Sequence, residues 1–332
     1  MGKGNREMHS GDHIPTLVAP PLEYTDIKPA LDRLADSHDE SDLSPTLVAD
    51  VVRLLLGYRG STPWEGWKDF AHDEFRTHPV FHILQSDPYS NYSFRHPRGY
   101  PGDAVLMDFI YGGGCSTPLL NSATALGRSL YAQCSRNPAF PAIQGRRDLF
   151  ARYIEAACRN HASSRILSVA CGHLREGGVL RQPDLPRPAR FVALDQDSDS
   201  LDVVAAELSG SGVECLRESA IRLLSNHFHI GEFDLIYSAG LYDYLSDEFS
   251  TRLLQALVRR LASRGTLLVA NMLPGIPACG YMEAVMDWWL IYRTPAEMAG
   301  MAKQVAAVSD IQWHVFTDEL QHIVYLEIRR NT

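Results

Sequence analysis

No apolar run in this 332-residue chain reaches the roughly 18 to 20 residues a membrane span needs. The polar start MGKGNREMHSGDH has no apolar signal core behind it, so a cytoplasmic protein is expected, with no membrane partner. Basic residues are also in deficit: 31 Lys and Arg stand against 40 Asp and Glu, for a net charge of −9. Binding a phosphate backbone requires clustered cations, and their shortage excludes a general nucleic-acid partner. Cysteine is sparse and scattered. The six positions form no CxxC pair and no compact spacing, so reduced thiols are expected rather than a disulfide framework. What is present, 45% hydrophobic and 21% charged residues, is ordinary globular material, long enough for one large domain or two modest ones.

The first half reads as helical. Residues 1–25 are polar and Pro-rich without periodicity and are expected to form a flexible tail. From 27 to 58 apolar residues recur at helical spacing, interrupted near Ser44-Pro45, which predicts two amphipathic helices. The segment 64–111 is dense in aromatics, as befits a layer that covers something. Further helices are expected at 103–111, 119–133 and 146–161, with Gly112-Gly113-Gly114 as a break. Residues 26–160 are therefore expected to form a helical cap, and 161–332 an α/β domain. In that second half strands are predicted at 166–170, 191–195, 214–217, 235–238, 266–271, 312–316 and 323–328, alternating with helices. The last two are too close in sequence for a helical crossover and should pair as an antiparallel hairpin.

The most informative stretch is Arg165 to Glu176, RILSVACGHLRE: an apolar strand, a tight small-residue turn, then a polar helix start. This is how a mononucleotide-binding unit opens. The next apolar strand ends on Asp195, roughly 20 residues beyond Gly172, where an acid accepts hydrogen bonds from both ribose hydroxyls of a nucleoside. The competing reading of Asp195 is a helix N-cap or a surface carboxylate. Ala170 and Cys171 are small enough for close backbone approach, and Gly172 can adopt a positive φ. Cys171 also reads as a buried filler, since only His173 beside it is basic. His72, His78 and His82 with Asp73 can be drawn as a metal cluster, but Pro79 interrupts the helix that would align them, and no metal is expected.

A doubly wound sheet closing on an antiparallel strand is the architecture of the class I S-adenosylmethionine (SAM)-dependent methyltransferases, and the second half of the chain resembles that family. The family's first turn usually reads acid-x-Gly-x-Gly-x-Gly. Here Ser168-Val169-Ala170-Cys171-Gly172-His173 keeps one glycine and has serine for the acid. The resemblance implies a Rossmann-like seven-stranded fold and SAM as cosubstrate. It places Ser168, Ala170, Cys171 and Gly172 at the first turn, Asp195 on the ribose, Gln196 at the adenine edge, and Ser219 and Ala220 along adenine. Ser238, Ala239 and Gly240 would hold the methionine moiety. The segment Pro97-Arg98-Gly99-Tyr100-Pro101-Gly102-Asp103 and the loop Ser238-Ala239-Gly240-Leu241-Tyr242-Asp243-Tyr244 resemble a bacterial subgroup associated with making 3-hydroxypalmitic acid methyl ester. In that setting Arg98 would pair with the carboxylate of SAM, or else form a structural salt bridge, and Asp103 is a partner for the α-ammonium. Tyr100 and Tyr242 would face the sulfonium or serve as core aromatics, and Asp243 would act as a base. Trp288, Trp289 and Tyr292 fit either a helix face or an acceptor wall.

Methyl transfer to a carboxylate, amine or hydroxyl of a small metabolite in bacterial secondary metabolism is the leading expectation. The alternative is a cyclase in which SAM's own amino nitrogen displaces methylthioadenosine (MTA), giving azetidine-2-carboxylate. A SAM-binding regulatory or scaffold protein is the non-enzymatic reading. A monomer or homodimer is expected.

Overall fold

The computed structural model describes residues 27–36, 44–160, 163–225 and 227–331; the tail expected at 1–25 lies outside them. Seven strands form one sheet: β1 (Arg165–Val169), β2 (Arg190–Asp195), β3 (Val213–Arg217), β4 (Phe233–Ser238), β5 (Leu261–Met272), β6 (Ile311–Thr317) and β7 (Ile323–Arg330). Their order is β3-β2-β1-β4-β5-β7-β6. The first five strands pair in parallel, and β7 runs antiparallel to both β5 and β6. The Rossmann-like sheet with an antiparallel final hairpin, implied by the resemblance, is the architecture observed.

Side-chain pattern explains the placement. β1, β2 and β4 are buried almost throughout, as strands covered on both faces must be, whereas the edge strands β3 and β6 are half exposed. β5 begins upstream of the expected 266 because Phe233 pairs with Leu261 before a bulge lets Leu235 pair with Thr266. Between β1 and β4 the chain changes direction across the sheet. A crevice opens there at the carboxyl ends of the strands.

The helices differ from expectation at three places. The helix expected to open after the first turn is a short 3-10 helix, Arg175–Arg181. The segment expected at 119–133 is split into Thr117–Ser122 and Ala125–Cys134, because Thr124 Oγ1 accepts from Gly127 N at 3.0 Å and starts a new helix. The helix before β1 runs Ala139–Asn160 and starts well ahead of 146. Asn137 Oδ1 accepts from Ala139 N at 2.9 Å, and Pro141 falls in the first turn, where its missing N–H has no intrahelical partner to lose. Among the described residues no helix is long and apolar enough to cross a membrane.

After β5 the helix Cys279–Met286 is buried at every position. Gly280 permits its approach to the helix Leu47–Ser61, since a Cβ there would lie 2.9 Å from the Leu55 carbonyl. Glu283 accepts from Arg59 Nε at 2.6 Å, Arg59 Nη2 at 2.9 Å and Trp67 Nε1 at 2.7 Å. A carboxylate taken out of water needs such partners. Glu283→Ala should destabilise the protein by about 3 kcal/mol, the lower end for a broken buried pair because Arg59 keeps a route to water. Urea unfolding followed by tryptophan fluorescence measures it; an unchanged midpoint would refute the contribution.

Candidate functional site

The turn after β1 is built from left-handed residues: Ala170 (φ 54°), Gly172 (φ 51°) and Leu174 (φ 49°). Two of these are not glycine, and such strain concentrates where backbone geometry serves a ligand. The turn is tied to the end of β2. Gly172 N donates to Asp195 Oδ2 at 2.8 Å, Asp197 N donates to Asp195 Oδ1 at 2.9 Å, and Cys171 N donates to the Leu194 carbonyl at 3.1 Å. Each Asp195 oxygen thus accepts one backbone N–H and retains capacity for another donor. Burial raises the pKa of Asp195 despite these bonds.

Above the carboxyl ends of the strands lies a cavity of about 660 Å³, within the usual range for small-molecule sites. Tyr100, Ala170, Cys171, Gly172, Asp195, Gln196, Ser219, Ala220, Ala239, Gly240 and Asp243 all line it. Four residues expected there do not. Ser168 lies within β1, its side chain buried in the sheet. Ser238 donates from Oγ to the Val169 carbonyl at 2.9 Å and stitches β4 to β1. Tyr242 is wholly buried in the core, with its carbonyl accepting from Arg293 at 2.6 Å. Arg98 donates to Asp197 Oδ2 at 2.5 Å and Ser200 Oγ at 2.8 Å, so its guanidinium anchors the loop 97–103 to the helix Ser198–Glu207 and takes the salt-bridge alternative.

Asp103 lines the cavity but is occupied as an N-cap. Its Oδ1 accepts from Val105 N and Leu106 N, both at 2.9 Å, and its Oδ2 accepts from Tyr92 Oη at 3.0 Å. The histidines that suggested a metal cluster are dispersed. His72 stacks on Trp289, while His78 caps the helix Pro79–Leu84 and lies 3.0 Å from Asp32. Among the described residues, Asp108, Cys115 and His173 are close enough to share a metal ion. Asp108 is already engaged by His173 Nδ1 at 2.9 Å and by Arg175 Nε and Nη2 at 2.6 Å each. Burial would raise its pKa, but these two partners outweigh it and hold the carboxyl below its ordinary value.

On the other wall, where Trp288 was one expectation, sequence reasoning missed Arg146. Arg146, from the helix Ala139–Asn160, reaches the cavity with its Nη1 3.9 Å from Asp243 Oδ2. Tyr244 donates to the Pro101 carbonyl at 3.1 Å and accepts from Trp288 Nε1 at 2.7 Å. These contacts close the loop 97–103 over the site, and a Cβ at Gly102 would fall 2.1 Å from Tyr244 Oη. The one available signal for Arg146 was a lone charge on an apolar helix face, between buried Ile143 and Phe150 at helical spacing.

No protein-family model and no curated protein sequence matches the chain. Among solved structures, a possible exported protein from Bordetella parapertussis superposes with a TM-score of 0.60 at 16% identity, covering 95% of this chain and all of the other. That likeness shows a shared fold. The N-methyltransferase NodS from Bradyrhizobium japonicum aligns at TM-score 0.40 and 13% identity, over 57% of this chain and 97% of its own. Magnesium protoporphyrin IX methyltransferase from Synechocystis aligns at 0.44 and 9%, over 69% of this chain and all of its own. These two likenesses are too weak to carry a conclusion about this chain.

Asp243 yields a pH prediction. Burial pushes its pKa up from 3.8 to about 6, against the lowering effect of Arg146 and of the Met272 N–H, which donates to Oδ1 at 2.7 Å. The folded state therefore holds a proton on this group that the unfolded chain releases, so its ionisation opposes folding as pH rises from about 4 to about 6. Comparing thermal unfolding of the wild type and Asp243→Asn across that window should show a smaller decline in the variant. Parallel curves would place the Asp243 pKa at its ordinary value.

Proposed function

We propose that the protein binds SAM in this cavity and transfers its methyl group to a small metabolite. The observation that carries the reading is Asp195: a buried carboxylate, tied to the first turn through Gly172, with acceptor capacity left where a ribose would lie. Ala170, Cys171 and Gly172 provide close backbone approach beside it. Gln196, Ser219 and Ala220 lie along the same wall, as an adenine would require, and Ala239 and Gly240 at the end of β4 face the reacting centre. The fold shared with the Bordetella protein leaves the reaction to be argued from these residues.

SAM, when bound, supplies an electrophilic methyl on a sulfonium, so the protein's task is to align an acceptor and exclude water. Tyr100 offers an electron-rich ring on the cavity wall, suited to a cation. Asp243, the only one of the three proposed catalytic groups with a pKa near neutrality, is the base for an amine or hydroxyl acceptor; a carboxylate acceptor needs none. The same proposal takes 26–160 as a cap over an α/β domain at 161–332, in a cytoplasmic monomer or homodimer of bacterial secondary metabolism. Closure by Tyr244, Trp288 and Gly102 favours a second reading, an intramolecular cyclisation needing no acceptor channel. In it the amino nitrogen bonds to the γ-carbon, the carbon–sulfur bond breaks, MTA leaves and the nitrogen gives up its proton.

Incubating the pure protein with SAM alone and following the products by mass spectrometry separates the two. Methyl transfer predicts S-adenosylhomocysteine (SAH) only when an acceptor is present; MTA with a four-carbon cyclic imino acid, without acceptor, would overturn it for the cyclase. Asp195→Ala should weaken SAH binding in calorimetry by roughly 10- to 100-fold, as expected for loss of charge-assisted hydrogen bonds. Unchanged affinity would remove Asp195 from the site.

A further inference from the structure

Three arginines stand at or beside this cavity, two buried and Arg175 partly so, and the protein treats them differently. Arg293 has every nitrogen engaged: Nε and Nη2 on Asp247 Oδ1 at 3.0 and 2.8 Å, Nη1 on the Tyr242 carbonyl and Asn271 Oδ1 at 2.6 Å each, and Nη2 also on the Leu245 carbonyl at 2.5 Å. Arg175 closes on Asp108 and Glu207. Arg146 is as deeply placed, with a side chain only 7% exposed, yet its Nε has no hydrogen-bond partner. Its nearest carboxylate oxygen, on Asp243, is 3.9 Å away, beyond hydrogen-bond reach, and Met107 Sδ at 3.9 Å is a weak acceptor. The Tyr111 side chain is a hydrogen-bond partner of the guanidinium, which leaves Nε as the unpartnered nitrogen, and the buried Glu176 spends one oxygen on Tyr237 Oη at 2.9 Å.

A guanidinium removed from water with an unpartnered Nε and no carboxylate within hydrogen-bond reach is unfavourable unless something completes its shell. The open side is the cavity. Gly240 lines the cavity next to it, where a Cβ would stand 3.7 Å from Arg146 Nη1, in ordinary contact.

We propose that Arg146 is the anion-recognition residue of this cavity and that the ligand it holds presents a carboxylate. The inference rests on the reading of the cavity as the substrate site. A singly charged, planar carboxylate matches one guanidinium fork. A dianionic phosphate would be repelled by Asp243 and Asp195, which line the same space. The apolar side chains of the same cavity, Met107 beside Arg146 together with Ile143, Trp288 and Leu290, take the apolar body of the ligand. The carboxylate belongs either to the amino-acid end of SAM or to the acceptor, and the experiment separates these sources.

The test is calorimetry on the wild type, Arg146→Met and Arg146→Lys with three probes: SAH, MTA, which lacks the carboxylate, and hexanoate against hexanamide in the presence of SAH. Arg146→Met should weaken carboxylate-bearing ligands by roughly 10- to 100-fold and leave MTA unchanged. Arg146→Lys, which keeps the charge, should recover part of the loss. A loss confined to SAH assigns the carboxylate to the nucleoside ligand, and a loss confined to hexanoate assigns it to the acceptor. The proposal is overturned if both variants bind all three probes like the wild type, or if MTA weakens in parallel with SAH, which would make Arg146 structural. Should Arg146→Met fail to fold, the lysine variant decides alone, by whether carboxylate and uncharged probes separate. A wild type that binds neither nucleoside would sink the SAM reading, while hexanoate still tests Arg146.

Discussion

Glu283 sits on a helix with no exposed residue, and the satisfaction of that one carboxylate by Arg59 and Trp67 links the two halves of the chain. A charge buried this far must be met from whatever packs around it. The first hundred residues meet it, and other polar groups nearby follow suit: Tyr281 Oη lies 3.0 Å from Ser90 Oγ, and Gln85 Nε2 donates to the Val285 carbonyl at 2.8 Å. At the helix end Asp287 accepts from Arg76 at 2.7 Å and turns left-handed at φ 49°, which sets the direction of Trp288. Trp288 then reaches Tyr244, and Tyr244 reaches the Pro101 carbonyl. A run of contacts thus leads from the helix of Glu283 to the roof of the cavity.

The floor follows from the sheet. Parallel strands with a direction change between β1 and β4 leave a crevice that no crossover helix fills, and the backbone around it is ordered by side chains rather than by glycine. Asp195 holds the first turn, while Asp108, gripped by His173 and Arg175, holds the residues just after it against the helix Ala104–Tyr111. The turn that lines the cavity has a single glycine and is braced by carboxylates on two other elements, Asp195 at Gly172 and Asp108 at His173 and Arg175. The buried acids around the cavity share one electrostatic consequence. Burial raises the pKa of Asp103, Asp195, Glu176 and Asp243 alike, because it penalises the charged form of each.

Much of the fold was legible in the chain. The strands β1, β2 and β4 are apolar runs bounded by turn residues, the short link between the last two strands demanded a hairpin, and the distance from Gly172 to Asp195 suits two residues that meet at one crevice. These are local or nearest-neighbour properties, and periodicity and spacing carry them. Side-chain direction at strand ends was not legible. Ser168 and Ser238 lie one or two residues from cavity-lining positions but belong to the sheet interior, and Tyr242 turns into the core while its neighbours Asp243 and Tyr244 turn out. In a short helical turn one residue of offset reverses the face, and no local rule chooses it.

From sequence alone, then, came the order of the elements, the parallel sheet with its antiparallel close, and the candidate ribose acid. Each depends on hydrophobic period or on a fixed spacing within one unit. The tertiary structure alone decided that Arg98 ties a loop down, that Arg146 stands open to the cavity, and that Gly102, Tyr244 and Trp288 meet above it. Those arrangements join residues far apart in the chain, and their charges acquire meaning only once burial has determined which of them find partners.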